Sequence, residues 1–243
     1  MITIPQQVIA HRGISASAPE NTLSAFKLAK QHGIRWVEFD VSLCRDQQCV
    51  IFHDDDLDRC SNLTGPLALQ NLATLKQGDF GSWFAPEYAG ENILELKALI
   101  HWLHTHDMYF NLEIKVAPNI AWEALVESIA ATLPETAWLR EHCLVSSFHP
   151  AALLAFSRLR EDVPLGILLD EPIHHWQDWA EGVNASTVNC NYDHLTDAFA
   201  NEVIDTGYQL LVYTVNTPEQ FETALRLGAT AVFSDNPEEL MQS

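Results

Sequence analysis

Short apolar runs alternate along the chain with longer stretches in which apolar residues recur every three or four positions. The runs are rich in β-branched and aromatic residues. They fall at Val8–Ala10, Trp36–Val41, Val50–Phe52, Tyr109–Ile114, Leu144–Phe148, Leu165–Leu169, Ser186–Cys190, Leu210–Val215 and Thr230–Ser234. Between them lie Thr22–His32, Glu91–His106, Ala121–Leu133, His149–Arg160, Thr196–Thr206 and Pro218–Leu227, each with one apolar face. This alternation predicts parallel strands joined by crossover helices. A (β/α)8 TIM barrel closes such a pattern at about 250 residues, and the chain has 243. A doubly wound open sheet is the rival arrangement.

Nine runs compete for eight barrel places. The stretch from Asp40 to Val50 is too short for a crossover helix. It predicts an extended return, at about 3.3 Å per residue, with a turn near Asp46-Gln47. One barrel unit is therefore expected to lack its helix, and one strand to lie outside the barrel. Residues 57–92 follow neither period. They hold turn residues (Asn62, Gly65, Pro66, Gly78, Gly81, Pro86, Gly90) and aromatics (Phe80, Trp83, Phe84, Tyr88). They predict a small insertion after the third strand, over the C-terminal mouth, with a short helix around Leu69–Leu75. With no linker-like stretch, residues 1–243 read as a single domain.

Charge narrows the partners. Thirteen basic residues against thirty-three acidic ones give a net charge of -20, which repels polyphosphate backbones and anionic lipid surfaces. The expectation is no nucleic acid and no stable membrane association. No apolar run approaches the ~20 residues of a membrane span, and Met1–Gln7 lacks the basic start and apolar core of a leader. Five cysteines in an odd count, without CxxC spacing, read as reduced thiols and predict a cytoplasmic protein. The oligomeric state is left open.

Polar groups punctuate the ends of the apolar runs. "VIAHRG" carries His11 and Arg12 at the C-terminal end of the first, where barrel enzymes keep their reactive groups. "WVEFDVS" sets Glu38 and Asp40 two apart, so both carboxylates share one strand face while Val37, Phe39 and Val41 take the other. "VIFHDDDL" ends on His53 and Asp54, and "FNLEIKV" places Glu113 and Lys115 on one face. Two inward carboxylates on one strand repel each other and are costly to bury. A cation removes both problems, and three carboxylates (Glu38, Asp40, Glu113) suit Mg2+ or Ca2+ better than Zn2+. Arg12 and Lys115 supply charge for a phosphate. Taken singly, each group has an ordinary use: a hydrogen-bonded histidine, a solvated carboxylate pair, a surface ion pair, an Asp54 that caps a turn or orients His53. His101, His104 and His106 do not share one helical face and read as surface histidines. Asn21 or Thr22 in "PENT" reads as a helix cap.

The run "AHRG…APENT…EFDV…FHDD.L.R", continued by "GSW", "NLEIK", "SSF", "VYTVN" and "FSDNP", resembles the signature of the glycerophosphodiester phosphodiesterase family, in its short cytosolic bacterial form. The resemblance covers nearly the whole chain. It implies a (β/α)8 barrel whose insertion closes over the glycerol end of the substrate. It implies a divalent metal on Glu38, Asp40 and Glu113, an acid–base pair of His11 and His53, and phosphate contacts from Arg12 and Lys115. The implied reaction is metal-dependent hydrolysis of glycerophosphocholine or glycerophosphoethanolamine to sn-glycerol 3-phosphate and an alcohol. His11 is assigned as base and His53 as acid, and the nucleophile is water or the glycerol hydroxyl. Trp83, within "GSW", either packs on the glycerol carbons or holds the insertion to the barrel. The departures are Asp46-Gln47 for a usual Asp-Gly, Ser234-Asp235 for Thr-Asp, and Tyr213 where Trp is frequent. Rival functions are a lysophospholipase D, a non-catalytic glycerophosphodiester-binding barrel, and a sugar-phosphate aldolase or isomerase on the same fold.

Overall fold

Strand period decides which side chains enter the barrel and which meet the helices. The computed structural model describes residues 4–117 and 121–241. The reading of Met1–Gln7 as lacking a leader falls in part on Met1–Thr3, which lie outside the described residues. In chain order the elements are β1 (Val8–Ala10), α1 (Leu23–Gln31), β2 (Trp36–Leu43), β3 (Cys49–Ile51), α2 (Leu72–Leu75), β4 (Leu94–Glu95), α3 (Leu96–Thr105) and β5 (Tyr109–Ile114). Then come α4 (Trp122–Thr132), α5 (Ala137–His142), β6 (Cys143–Ser147), α6 (Pro150–Leu159), β7 (Leu165–Leu169), α7 (Trp176–Gly182) and β8 (Thr187–Asn191). The chain ends with α8 (Asp197–Asp205), β9 (Gln209–Tyr213), α9 (Pro218–Arg226), β10 (Ala231–Ser234) and α10 (Pro237–Leu240).

Strands β1, β2, β5, β6, β7, β8, β9 and β10 pair in parallel, and β1 closes on both β2 and β10. This is the eight-stranded parallel barrel. Alternate residues split between two cores. Val8, Val37, Phe39, Phe110, Leu112, Val145, Val188 and Val212 pack outward against the helices. Ile9, Trp36, Leu144, Leu211, Ala231 and Phe233 fill the barrel interior. Each large apolar side chain so buried stabilises the fold by about 1.5–3 kcal/mol before ordering costs.

The ninth strand lies where the short return required it: β3 runs antiparallel to β2, outside the barrel. The link Cys44–Gln48 is a tight return, with the Gln47 amide donating to the Cys44 carbonyl. The expected helix-less unit is not found. β4 pairs antiparallel with β3 and feeds α3, so β3, the insertion, β4 and α3 together make the crossover from β2 to β5. In barrel terms the insertion belongs to the second strand's loop. It has its own small core of Val50, Phe52, Leu57, Cys60, Leu67, Leu75, Phe80 and Ile93. Among the described residues no helix is long and apolar enough to cross a membrane.

Candidate active site

The first turn explains the placement of His11 and Arg12. β1 exposes Val8 and Ala10 to the helices and Ile9 to the interior, so His11 continues the inward set. Arg12 and Gly13 then take left-handed backbone, φ 56° and φ 80°. Gly13 lies so close to α1 that a Cβ there would sit 2.5 Å from that of Ala25. Only glycine turns the chain here without a clash. The turn aims the Arg12 amide at Glu38, whose Oε2 accepts it at 2.9 Å. Thr22, not Asn21, caps α1. Asn21 instead grips Asp40, donating to Oδ2 at 2.9 Å.

Parallel register brings the carboxylates together. Asp40 on β2 sits beside Glu113 on β5, and Glu38 beside Asn111. One oxygen from each of Glu38, Asp40 and Glu113 lies within 4.8 Å of the others. Burial first, then the charges of Asp40 and Glu113, pushes the Glu38 carboxyl well above its usual range. Burial and Asp40 likewise push Glu113 up to about 7. For Asp40 burial works the same way, but Arg12, Lys115 and His53 outweigh it and hold the carboxyl at about 2. Three carboxylates so placed do not all ionise unaided. The all-oxygen donor set therefore fits a hard divalent cation, which lets them ionise together.

Cations surround the cluster. Arg12 Nε is 3.2 Å from Asp40 Oδ2, and its Nη1 donates to Glu20 at 2.8 Å. Lys115 Nζ is 3.0 Å from Glu113 and 3.9 Å from Asp40. Burial opposes its charge, but Glu113 and Asp40 keep it protonated.

Each histidine has a carboxylate behind it. His11 Nδ1 is 2.7 Å from Asp235 Oδ1, which also accepts from Ser15, while Oδ2 accepts from Asn216. His53 Nδ1 is 2.7 Å from Asp54 Oδ1. Arg59 donates to both oxygens of Asp54 and to both oxygens of Glu20. Committing Nδ1 leaves Nε2 of each ring for chemistry. Burial lowers the His53 imidazolium pKa, with Asp40 opposing and Arg12 and Lys115 adding to the fall.

His11, Arg12, Glu38, His53, Glu113 and Lys115 all line one cleft of about 370 Å³ at the C-terminal end of the barrel. Asp40 lies just beneath them, 1% exposed. Trp83 is not brought into this lining. Its indole N–H donates to the Phe80 carbonyl at 2.9 Å and its ring packs edge-on to Phe84, so its contacts belong to the insertion. The insertion reaches the site through Arg59, and it meets the first turn through Tyr88 on the Ser17 carbonyl and Glu91 on Ser24. His104 packs on Trp138 and His106 bonds the Trp102 carbonyl, away from any metal group. All five cysteines are free and buried, and burial pushes the Cys60 thiol up to about 12, so none is a poised nucleophile. Sequence reasoning assigned no role to Asp235, Arg59 or Glu20. Asp235 carried a faint signal, as an acid directly after the last strand.

Paired imidazoles, a carboxylate cluster and two cations in the mouth of a parallel barrel define a class: an enzyme of phosphate ester chemistry. The model of the glycerophosphoryl diester phosphodiesterase family matches residues 11–239, and the chain belongs to that family. A glycerophosphodiester phosphodiesterase of Caldanaerobacter subterraneus is 29% identical over 238 residues, covering 96% of each chain. One from Bacillus altitudinis is 27% identical over 234 residues, covering 96% of this chain and 95% of its own. Among solved structures, an Oleispira antarctica phosphodiesterase in complex with the product sn-glycerol-3-phosphate is similar with a TM-score of 0.91 and 33% identity, over 98% of this chain and 96% of that one.

Proposed function

We propose that this enzyme hydrolyses glycerophosphodiesters such as glycerophosphocholine and glycerophosphoethanolamine to sn-glycerol 3-phosphate and the free alcohol. One divalent cation, Mg2+ or Ca2+, would be held by Glu38, Asp40 and Glu113. The observation that carries this reading is the convergence of that carboxylate cluster with two carboxylate-backed histidines in one cleft. The product held by the Oleispira antarctica relative supports the same chemistry. The odd set of buried, unpaired thiols supports a cytosolic setting.

When bound, the cation would lower the nucleophile's pKa and offset charge developing at phosphorus. The chain's own residues do the rest. Arg12 and Lys115, both lining the cleft, attract the diester's anionic oxygens where the remaining surface repels them. His11 and His53 divide the two proton transfers of an in-line displacement, one accepting from the nucleophile and one donating to the leaving alcohol. Asp235 and Asp54 fix the tautomer that leaves each Nε2 free. The insertion supports His53 from behind, through Arg59 on Asp54. The test is turnover by His11→Ala and His53→Ala. Each should lower kcat by about 10²–10⁴ in folded protein. Near-normal turnover by either would remove that histidine from the mechanism.

A further inference from the structure

The barrel mouth has two unlike halves. The half built from β1, β2, β5 and the end of β3 carries every cation and imidazole that lines the cleft. The half built from β6 to β9 contributes Phe148, Leu168, Asn191, Asp193, Tyr213 and Thr214, with no Lys, Arg or His among its lining residues. Phe148 is 43% exposed although large and apolar, and its ring stands edge-on to Tyr213 at 5.9 Å and 87°. The Tyr213 hydroxyl is spent on the Leu169 carbonyl at 2.8 Å, so that residue offers its ring. Asn191 is also spent: its Nδ2 donates to Asp170 and its Oδ1 accepts from the Asp193 amide. The Asp193 carboxylate has no hydrogen-bond or ion-pair partner among the described residues. Two aromatic faces and one free carboxylate across the cleft from the phosphate-binding cations are what an organic ammonium group needs: π-faces to lie against and a counter-charge.

The geometry points to Phe148, Tyr213 and Asp193 as a head-group subsite that selects diesters with a quaternary or primary ammonium group. This rests on the function proposed above and specifies its substrate class. A zwitterionic diester presents its phosphate to Arg12 and Lys115 and its ammonium to Asp193. A diester with an anionic alcohol finds no Lys, Arg or His lining the far half, and one with a neutral alcohol leaves the Asp193 carboxylate without a counter-charge. The net charge of -20 favours the same choice, since a zwitterion meets no net repulsion on approach.

The experiment compares kcat/KM for glycerophosphocholine and glycerophosphoglycerol in the wild-type enzyme, Asp193→Asn, Phe148→Ala and Asp178→Asn. Asp178 is an exposed carboxylate on α7 outside the cleft and controls for net charge. Wild type and Asp178→Asn should prefer glycerophosphocholine by about tenfold or more. Asp193 and Phe148 are both exposed, so Asp193→Asn and Phe148→Ala should each lower that ratio about 2- to 5-fold, the range of an exposed cation–π or charge contact. An unchanged ratio in both cleft variants, or an equal fall in Asp178→Asn, overturns the subsite. Calorimetric titration of choline alone separates this from the function itself. Binding by wild type that weakens in both cleft variants supports the subsite even if no diester is turned over, which would defeat the proposed reaction only. Choline binding that is absent, or equal in all four proteins, refutes it.

Discussion

The hydrogen bonds behind His11 allow a sharp prediction for Asp235→Asn. Asn216 cannot turn its amide, because its Oδ1 accepts from the Asp235 amide at 2.8 Å and from Ser234 Oγ at 3.2 Å. Its Nδ2 must therefore point at residue 235, where it now donates to Oδ2 at 2.8 Å. In the variant, the new carboxamide must turn its oxygen to Asn216 and its N–H to His11 Nδ1. His11 is then driven into the tautomer with the proton on Nε2, the atom to which the proposed function gives the proton transfer. The change is nearly isosteric, so binding survives and catalysis fails. We expect kcat to fall about 10²–10⁴-fold, equivalent to about 3–5 kcal/mol of barrier, with KM within about threefold. Steady-state release of glycerol 3-phosphate measures this. Adding Asn216→Asp supplies an acceptor for the carboxamide N–H and returns the carboxamide oxygen to His11. That double variant should recover activity to within about tenfold of wild type. Asp235→Asn with more than a third of wild-type kcat, or a double variant no better than the single, would refute the tautomer argument.

Three further outcomes follow from other parts of the molecule. Arg59→Ala removes the fork that joins Asp54 to Glu20; kcat should fall about 10- to 100-fold through misplacement of His53, as for other groups that orient a catalytic imidazole, while Tm shifts little. Arg160 is buried and caps the end of α4 and the link beyond it through the carbonyls of Ala130, Leu133 and Pro134; Arg160→Ala should cost about 2–4 kcal/mol in urea unfolding through the unsatisfied carbonyls, with kcat unchanged. Burial would raise the Asp54 carboxyl, but Arg59 and His53 hold it at about 2; its folded value lies below its unfolded one, so its contribution is full above about pH 5 and is lost as pH falls toward 2. The stability gap between wild type and Asp54→Asn, from urea unfolding at a series of pH values, should therefore close on acidification. A gap that widens would contradict this.

Period two made the centre of the site legible. Glu38, Asp40 and Glu113 could be placed inward from Val37, Phe39, Leu112 and Ile114 alone, and the strand order then brings them together. His11 was legible only as the residue at the C-terminal end of the first apolar run. The short reach from Asp40 to Val50 correctly put one strand outside the barrel. What failed depended on short or purely spatial relations. β4 is two residues long and sits inside the apolar pattern of the following helix, so the crossover from β2 looked helix-less. α5, α7 and α10, of 6, 7 and 4 residues, are too short for a period to show. Asp235, Arg59 and Glu20 fall within the quoted motifs, but nothing local says what they touch, and only closure of the barrel sets Asp235 against a histidine 224 positions away. Trp83 stood open between substrate contact and holding the insertion to the barrel. Its indole donates to the Phe80 carbonyl within the insertion, a spatial relation that the motif does not carry.

Metal-dependent diester hydrolysis at the carboxylate cluster can be measured on the purified protein. The most direct measurement is release of glycerol 3-phosphate from glycerophosphocholine and glycerophosphoethanolamine by purified protein, with Mg2+, with Ca2+, with a chelator, and with Glu38→Ala. Turnover should require the metal, disappear with the chelator, and be lost in Glu38→Ala protein that remains folded. Release that persists in chelator or in the folded variant would contradict metal-dependent hydrolysis, as would no release with either metal.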